Sequence, residues 1–551
     1  MDKTTTIKNS ESEWYSPDTG IYYSKYPYIK LPSDPFLDVV SFLFSHQHNG
    51  VSALIDSSSG SSFSYPQLYS LVKSMASGLH NMGISQADVV FILLPNSIYY
   101  PIVFMGLLYL GAIVTPMNPL STELEIKKRI TDCKACLAFT VSGKVETLKA
   151  LGIPAIGVPE NVNLGSKQTS FSAFYKLISG SFDLPPRPVI KQQDTAAIMY
   201  SSGTTGMSKG VVLTHGNFIA MLELFVRFEA SQYTYSSLDS VFLAVVPMFH
   251  IYGLSLIVLG LFSLGSSIVV MRKYDVNEVM KAIDRYKVTH FPVVPPIMTA
   301  LTRITKDVGG SSLKSLKQVS CGAAPLSRKI IDDFVQALPH VDFIQGYGMT
   351  ETTAVGTRGF NTEKFQNYSS IGLLAPNMQA RVVDWNTGSF LPPGSSGELW
   401  LRGPAIMKGY LNNVEATMST IDKDGWLHTG DIVFFDQDGY ITMSDRLKEI
   451  IKYNGFQIAP ADLEAVLISH PEILDVAVTA VLNEEFGEIP VAFVVRKHGS
   501  KLSQAAVMDY VAEQVAPYKK VKKVIFTDSI PKSAAGKILR RELRKYLTSR
   551  L

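Results

Sequence analysis

Tyr200-Ser-Ser-Gly-Thr-Thr-Gly-Met-Ser-Lys-Gly210 is a polar loop that contains five Ser or Thr hydroxyls, three glycines and one lysine. Glycine lets backbone N–H groups come close to an anion, and hydroxyls add donors that rotate to meet it. The Gly-x4-Gly-Lys-Ser/Thr spacing of a Walker A motif is not present. The composition therefore predicts a phosphate-binding loop of another type.

The segments that flank this loop decide between a binding loop and a flexible linker. Residues 196–199 before it and 211–213 after it are apolar, which is typical of buried strands. Ser/Gly-rich linkers lack such flanks. We therefore expect a tight connection between two strands that presents Lys209.

The overall composition is that of a large folded protein. The chain has 551 residues, of which 46% are hydrophobic and 18% charged, and its net charge is +3. This length predicts two or more domains, and so small a charge gives no argument for nucleic acid or a membrane surface. The Cys133-Lys-Ala-Cys136 pair has no second Cys or His pair beside it, so we interpret it as packing and not as a zinc site.

Two long stretches, residues 89–122 and 241–271, contain no Asp, Glu, Lys or Arg. Each is long enough to cross a bilayer, but prolines interrupt the first, and a proline, a histidine and glycines interrupt the second. We therefore predict buried strands of a parallel sheet joined by an apolar helix, and no transmembrane segment. Residues 1–13 are polar, carry no signal-peptide core and are expected to be a disordered leader.

The alternation of apolar runs with helical patterns predicts an α/β protein. Doubly wound sheets are expected through most of residues 14–444, with a small barrel-like or antiparallel part around residues 391–402. The pattern changes at Ser444-Asp445-Arg446-Leu447-Lys448. We predict a large domain over residues 14–444 and a small α+β domain over residues 445–551.

Two further segments have the chemistry of a nucleotide site. In Gln345-Gly-Tyr-Gly-Met-Thr-Glu351 the glycines permit close backbone approach, Tyr347 offers a ring to adenine, and Glu351 can serve Mg²⁺. In Trp426-Leu-His-Thr-Gly-Asp431 the carboxylate can accept hydrogen bonds from both ribose hydroxyls. Each segment alone could equally be an ordinary turn.

Together these motifs resemble the adenylate-forming superfamily, which includes acyl-CoA synthetases, 4-coumarate–CoA ligases, beetle luciferases and adenylation domains of peptide synthetases. The resemblance runs from about residue 35 to the C-terminus and is strongest to plant 4-coumarate–CoA ligase-like proteins. It implies that ATP and AMP are bound by the following residues: Ser201, Ser202, Gly203, Thr204, Thr205, Gly206, Lys209, Gln345, Gly346, Tyr347, Thr350, Asp431, Arg446 and Lys448.

The same resemblance implies the remaining site residues. Lys537, in Pro531-Lys-Ser-Ala-Ala-Gly-Lys537, would reach the reacting carboxylate and phosphate oxygens, and Glu351 would serve Mg²⁺. Lys452 and Gln457 would serve the adenylate. His250 would shape the acyl pocket and gate the entry of the carboxylate. The pocket itself would be lined by His250, Tyr252, Ala323 and Gly346, and CoA would be bound by Lys273, Asn454 and Gly455.

Two residues depart from the pattern of true 4-coumarate ligases. Trp400 replaces a usual cysteine, and Asn454 replaces a common lysine near the thioester site. The first departure argues against a lignin-pathway role. The second could weaken the hold on CoA or be offset by Gly455 and Lys273. The C-terminal Ser549-Arg550-Leu551 is a close variant of the Ser-Lys-Leu signal, so we expect binding to the peroxisomal import receptor and a peroxisomal location.

The resemblance implies an ATP-dependent acid–thiol ligase, with Mg²⁺ as cofactor and ATP and CoA as co-substrates. The acid would be an aryl-propenoic, fatty or jasmonate-precursor acid, and the small domain would rotate about Asp445 between the two half-reactions. A luciferase-like oxygenase and a stand-alone adenylation domain are the alternatives. A non-catalytic binding protein is disfavoured, because it would not need Lys209, Glu351, Asp431 and Lys537 together.

Overall fold

The computed structural model describes residues 14–50, 52–160, 171–180, 183–184, 186–201, 209–234, 236–308, 313–324, 326, 328–361, 366–453, 456–483, 487–515, 517–533 and 536–548. The leader expected at residues 1–13 lies outside these ranges. Within them the strands form four sheets, called here the first, second, third and fourth sheet.

The first sheet contains the two strands that flank the Ser/Thr-rich loop. These strands pair antiparallel with each other, and Lys209 lies opposite Ser201. The strands on the Thr195–Ser201 side are parallel, as expected for this part of the chain, and Gly409–Tyr410 pairs antiparallel at the other edge. Its spatial order is Gly409–Tyr410, Lys209–Thr214, Thr195–Ser201, Ile113–Pro116, Val89–Leu93, Leu137–Val141 and Ala155–Val158.

The second sheet is parallel in its middle and antiparallel at both edges. Its central strands are buried and apolar, as parallel strands covered on both faces require. Its spatial order is Leu373–Leu374, Thr357–Arg358, Asp342–Tyr347, Gln318–Cys321, His290–Val293, Val241–Ala244, Ser267–Val270, Leu54–Asp56 and Ser62–Phe63.

The third sheet is antiparallel throughout and includes the part expected to be antiparallel or barrel-like. Its spatial order is Tyr15–Ser16, Ile21–Tyr23, Gln379–Val383, Gly397–Arg402, Leu427–Phe435 and Ile441–Arg446. The fourth sheet contains Phe456–Ile458, Ile451–Tyr453, Gly487–Arg496, Ile473–Asn483 and Lys523–Phe526, and it packs around apolar clusters of its own.

The helices cover the sheets, and several of them begin at capping residues. Ser64 and Thr122 each form a capping box, with Gln67 and Glu125 respectively. The α-helices are Val39–Ser45, Tyr65–Asn81, Tyr100–Tyr109, Glu123–Cys133, Val145–Ala150, Ser172–Ser179, His215–Met221, Phe228–Ser231, Ile251–Gly253, Val276–Tyr286, Pro295–Val308, Arg328–Ala337, Val414–Thr420, Pro460–Ile468, Gln504–Ala512 and Arg540–Thr548. π-helical turns at Leu222–Arg227 and Leu254–Leu259 extend two of these helices. Short 3-10 helices are Ser142–Lys144, Ser237–Asp239, Gly260–Leu264, Thr350–Thr352, Leu447–Glu449 and Pro517–Lys519.

The two uncharged stretches lie in the core and form strands joined by a helical segment, as predicted. The first becomes strand Val89–Leu93, the fully buried helix Tyr100–Tyr109 and strand Ile113–Pro116. The second becomes strand Val241–Ala244, the helical segment from Ile251 and strand Ser267–Val270. Among the described residues, no helix combines the length and the apolar character that a membrane crossing requires.

Candidate active site

A cavity of about 580 Å³ lies where the first three sheets meet the C-terminal turn that carries Lys537. The strand ends and loops of several distant segments open into it, as is usual for ligand sites of α/β proteins. The predicted site residues that line it are Ser201, Lys209, His250, Tyr252, Ala323, Gly346, Tyr347, Thr350, Glu351 and Lys537.

Several predicted residues do not line this cavity. Lys273 is exposed just after strand Ser267–Val270, and the Gln345 side chain donates to the Tyr368 carbonyl at 2.8 Å. Asp431 lies behind Tyr347 and contacts it directly. Ser202, Gly203, Thr204, Thr205, Gly206, Asn454, Gly455 and Ser549-Arg550-Leu551 lie outside the described residues, as do the side chains of Asp445, Arg446, Lys448, Lys452 and Gln457.

Ser201, at the start of the Ser/Thr-rich loop, meets Glu351 at the cavity wall. The Ser201 hydroxyl donates to Glu351 Oε1 at 2.8 Å, and the Tyr410 hydroxyl donates to the same oxygen at 3.0 Å. Burial raises the pKa of Tyr410 above its ordinary value, and the Glu351 carboxylate raises it further, so the phenol stays neutral and remains a donor. The Lys209 ammonium lies 4.8 Å from the centre of the Tyr410 ring. Tyr410 therefore contacts the Lys209 ammonium through its ring and the buried Glu351 carboxylate through its hydroxyl.

The Glu351 carboxylate suits a cation held mainly by phosphate and water. Within the described residues there is no group of three or more His, Cys, Asp or Glu side chains that could hold a metal. Mg²⁺ needs only one or two carboxylates when substrate phosphates supply further oxygens. Glu351, which is 5% exposed and lines the cavity, is the residue that fits this requirement.

Tyr347 and Asp431 form a second buried pair. The Tyr347 hydroxyl donates to Asp431 Oδ2 at 2.7 Å, and the Asp431 backbone N–H donates to the Thr429 hydroxyl at 3.1 Å. Asp431 is 2% exposed and lies within strand Leu427–Phe435, not at the end of a turn as its sequence context indicated. The pair places the aromatic ring at the cavity wall and the carboxylate directly behind it.

Trp400 belongs to a group of side chains that supports this end of the cavity. Its ring stacks on His428 with centroids 3.8 Å apart, and its Nε1 donates to Glu398 Oε2 at 3.0 Å. Glu398 Oε1 in turn accepts from the Gly430 backbone N–H, next to Asp431. Glu398 and His428 line the cavity and were not among the predicted site residues.

His250 both lines the cavity and begins a helix. Its Nδ1 accepts from the Tyr252 backbone N–H at 3.4 Å, which makes it the N-cap of the helical segment from Ile251. Burial lowers the pKa of His250 to about 4, so the ring is neutral near pH 7. Its lone pair is therefore free to serve the cap.

We expect His250→Asn to weaken the acid sensitivity of the fold. The pKa of His250 is about 4 in the folded protein and 6.5 in a freely exposed histidine. As pH falls from 6.5 towards 4, His250 therefore binds a proton in the unfolded chain but not in the folded protein, and this favours unfolding. The free energy of unfolding of the wild type should fall by about 1–2 kcal/mol more than that of the variant between pH 7 and 5. Asn retains an N-cap acceptor, and urea unfolding is the measurement. Equal losses in both proteins would contradict this assignment.

Comparison with known proteins places these motifs in a family. The AMP-binding enzyme family matches residues 44–411, and the AMP-binding enzyme C-terminal domain matches residues 462–537. The chain is 61% identical over 548 residues to 4-coumarate–CoA ligase-like 6 of Arabidopsis thaliana, covering 99% of this chain and 97% of that protein. It is 44% identical to peroxisomal OPC-8:0-CoA ligase 1 of the same plant, covering 98% of each.

A solved structure agrees with these matches. The crystal structure of ATP-bound MatB from Rhodopseudomonas palustris superposes with a TM-score of 0.83 at 26% identity. The superposition covers 92% of this chain and 98% of MatB. The similarity extends over both the large part and the small C-terminal part of the chain.

Proposed function

We propose a role for individual residues in each half-reaction, from the premise that this chain belongs to the AMP-binding enzyme family and is an adenylate-forming acyl-CoA ligase. The carboxylate oxygen of the acid attacks the α-phosphorus of ATP, and pyrophosphate leaves. The CoA thiol then attacks the acyl carbonyl of the adenylate, AMP leaves, and the thiol proton passes to solvent. The observation that carries this proposal is the meeting of Lys209, Glu351, Tyr347 and Lys537 around one cavity.

The first half-reaction brings two anions together, and the cavity supplies cations for them. Lys209 follows the phosphate loop and Lys537 enters from the C-terminal turn, so both can stabilise charge that develops on the phosphate and carboxylate oxygens. Glu351 would hold Mg²⁺, and that ion would supply further positive charge against the phosphates. Neutral His250 adds no charge beside the incoming carboxylate.

Tyr347 and Asp431 would hold the nucleoside. The ring of Tyr347 lines the cavity and can stack on adenine, while Asp431 can accept from the ribose hydroxyls. The hydrogen bond between the two side chains positions both, and the Glu398–Gly430 contact supports the backbone beside them. Gln345 would act through the backbone of its strand, because its side chain is bound to Tyr368.

The roles predicted in the small domain form part of this proposal. Arg446, Lys448, Lys452 and Gln457 would contact the nucleotide or the adenylate, and Lys273, Asn454 and Gly455 would contact CoA. A rotation about Asp445 after adenylation would withdraw Lys537 and admit the thiol. One cleft can in this way satisfy two different transition states.

Gly536 brings the Lys537 turn close to the large domain, and we expect Gly536→Ala to weaken adenylation. The φ of Gly536 is +79°, and a Cβ there would lie 2.6 Å from Pro296 Cδ. Backbone strain of about 1–2 kcal/mol together with this contact should move the turn and slow adenylation about tenfold. Acid-dependent ATP–pyrophosphate exchange measures the step. Unchanged exchange would mean that adenylation does not need this approach.

An oxygen-transfer experiment tests the proposed chemistry. When the acid carries ¹⁸O in its carboxylate, attack on the α-phosphorus must leave one labelled oxygen in AMP. Mass spectrometry of AMP after turnover with ATP, Mg²⁺ and CoA should therefore find the label. Unlabelled AMP alongside an acyl-CoA would contradict an acyl-adenylate. Labelled AMP with no thioester would favour an adenylation-only or oxygenase reaction.

The proposed location is the peroxisome. The Ser549-Arg550-Leu551 ending supports it, and so does the similarity to a relative named as a peroxisomal CoA ligase. An N-terminally tagged fluorescent fusion should accumulate in peroxisomes, and removal of the last three residues should abolish this. Equal distributions of the two fusions would contradict the proposal.

A further inference from the structure

A buried arginine lines the cavity among apolar side chains, and the chemistry proposed above does not use it. Arg358 is 7% exposed and lies in strand Thr357–Arg358, directly opposite Gly346. A Cβ built on Gly346 would lie 3.4 Å from Arg358 Cδ and 3.7 Å from its Nη1. The guanidinium therefore stands next to the backbone that borders the predicted acyl site.

The positive charge of this arginine is balanced by one carboxylate. Arg358 Nη2 donates to Glu229 Oε1 at 2.5 Å, and both side chains are almost fully buried. Burial alone would lower the pKa of Arg358, but the facing Glu229 carboxylate outweighs this and raises the pKa, so the guanidinium stays charged. The pair has no net charge, although its local dipole is strong.

Donors of Arg358 remain available for a ligand. A guanidinium has five N–H donors, and the hydrogen bond to Glu229 uses one of them. Its Nε is buried without a hydrogen-bond partner among the residues that the structure describes. The donor that faces a ligand is Nη1, because it lies beside Gly346 at the border of the cavity.

The surroundings of the guanidinium are otherwise apolar or already satisfied. The guanidinium carbon lies 5.3 Å from the centre of the Phe225 ring, and Leu256 lines the same cavity. The Tyr252 hydroxyl donates to the Ser320 carbonyl, and burial raises its pKa to about 12, so it remains neutral. An acyl group in this region would meet apolar walls and one cationic donor.

We propose that Arg358, paired with Glu229, forms a polar subsite that selects acids with an uncharged oxygen acceptor at the end remote from the carboxylate. A keto or phenolic oxygen there would accept from the guanidinium while its apolar body packs against Phe225, Tyr252 and Leu256. A second carboxylate is disfavoured, because Glu229 already neutralises Arg358 and would repel it. A plain hydrocarbon chain is disfavoured, because it would cover the guanidinium without satisfying it. This inference rests on the proposed function.

Matched pairs of acids test the subsite. One pair is cinnamic acid and its 4-hydroxy derivative, and the other is a fatty acid and its counterpart with a keto group at the penultimate carbon. Wild-type kcat/KM for CoA-ester formation should favour the oxygenated member of at least one pair by about 10- to 100-fold. In the double variant Arg358→Met/Glu229→Gln, which removes both charges together, this ratio should fall to within about threefold of one.

The controls separate this inference from the proposed function. Arg358→Lys keeps a cationic donor beside Glu229 and should retain part of the preference, with a smaller ratio than the wild type because the planar guanidinium fork is lost. Dissociation constants of the same acids, measured by calorimetry, give the ratio without turnover. Equal wild-type values for both members of each pair, or an unchanged ratio in the double variant, would overturn the subsite. Absence of any thioester, with the binding ratio preserved, would overturn the proposed function alone.

Discussion

Replacing Lys537 with alanine should lower the rate of acid-dependent ATP–pyrophosphate exchange by about 100- to 1,000-fold, the usual effect of removing a preorganised charge from a transition state. The lysine lines the cavity from a turn in which its backbone N–H donates to the Ser533 hydroxyl and its carbonyl accepts from the Ser533 N–H. The positive charge is therefore presented by a defined turn. Conversion of a supplied acyl-adenylate with CoA should keep a rate within about fivefold of the wild type, because the proposed rotation withdraws Lys537 from the cavity before the thiol attacks.

The neighbouring Lys532 is the matched control. It lies in the same turn, but its ammonium is paired with Asp475 at 2.6 Å and does not line the cavity. Lys532→Ala removes an equal charge and should leave pyrophosphate exchange within about threefold of the wild type, since partly exposed ion pairs contribute little. If Lys537→Ala slowed both half-reactions equally, its assigned role in adenylation would be wrong.

Asp431→Ala should lower kcat/KM for ATP by about 100- to 10,000-fold. Two hydrogen bonds from ribose hydroxyls to a buried carboxylate contribute roughly 1.5–3 kcal/mol each, and the variant also leaves the Tyr347 hydroxyl without its partner. Tyr347→Phe is the graded comparison, because it removes only that hydroxyl and keeps the ring. A loss of about tenfold or less is expected for it.

A nucleotide analogue distinguishes ribose binding from a structural role of Asp431. The wild type should prefer ATP over 2′-deoxy-ATP, and Asp431→Ala should lose most of that preference. Steady-state kcat/KM for the two nucleotides is the measurement. A variant that is slow with both but keeps the full preference would show that Asp431 supports the fold and does not bind ribose.

The sequence predicted the core and the main sheets because their signals are local. Residues 89–122 and 241–271 lack charge and are broken by Pro or Gly, which favours short buried strands and a connecting helix over a membrane span. The apolar flanks of the Ser/Thr-rich loop likewise gave the strands Thr195–Ser201 and Lys209–Thr214. The antiparallel pairing of these two strands agrees with the tight connection expected between them, because a parallel crossover needs a dozen or more residues.

The site was predictable where it consists of contiguous motifs and not where it depends on distant partners. Glu351, Tyr347 and Lys537 stand in recognisable segments. Tyr410 and Ser201 join Glu351 across 59 and 150 residues of chain, and Glu229 joins Arg358 across 129. Such pairs form only when distant segments of the chain come together in the fold. The spacing of residues in a single sequence therefore does not predict them.

Formation of a CoA thioester tests the central claim most directly. The protein is incubated with ATP, Mg²⁺, CoA and a panel of aryl and aliphatic acids, and the products are identified by mass spectrometry. We expect an acyl-CoA together with AMP and pyrophosphate, with the highest yield from acids that carry a remote oxygen. If none of the acids yielded a thioester, even where pyrophosphate was released, the assignment as an acid–thiol ligase would be contradicted.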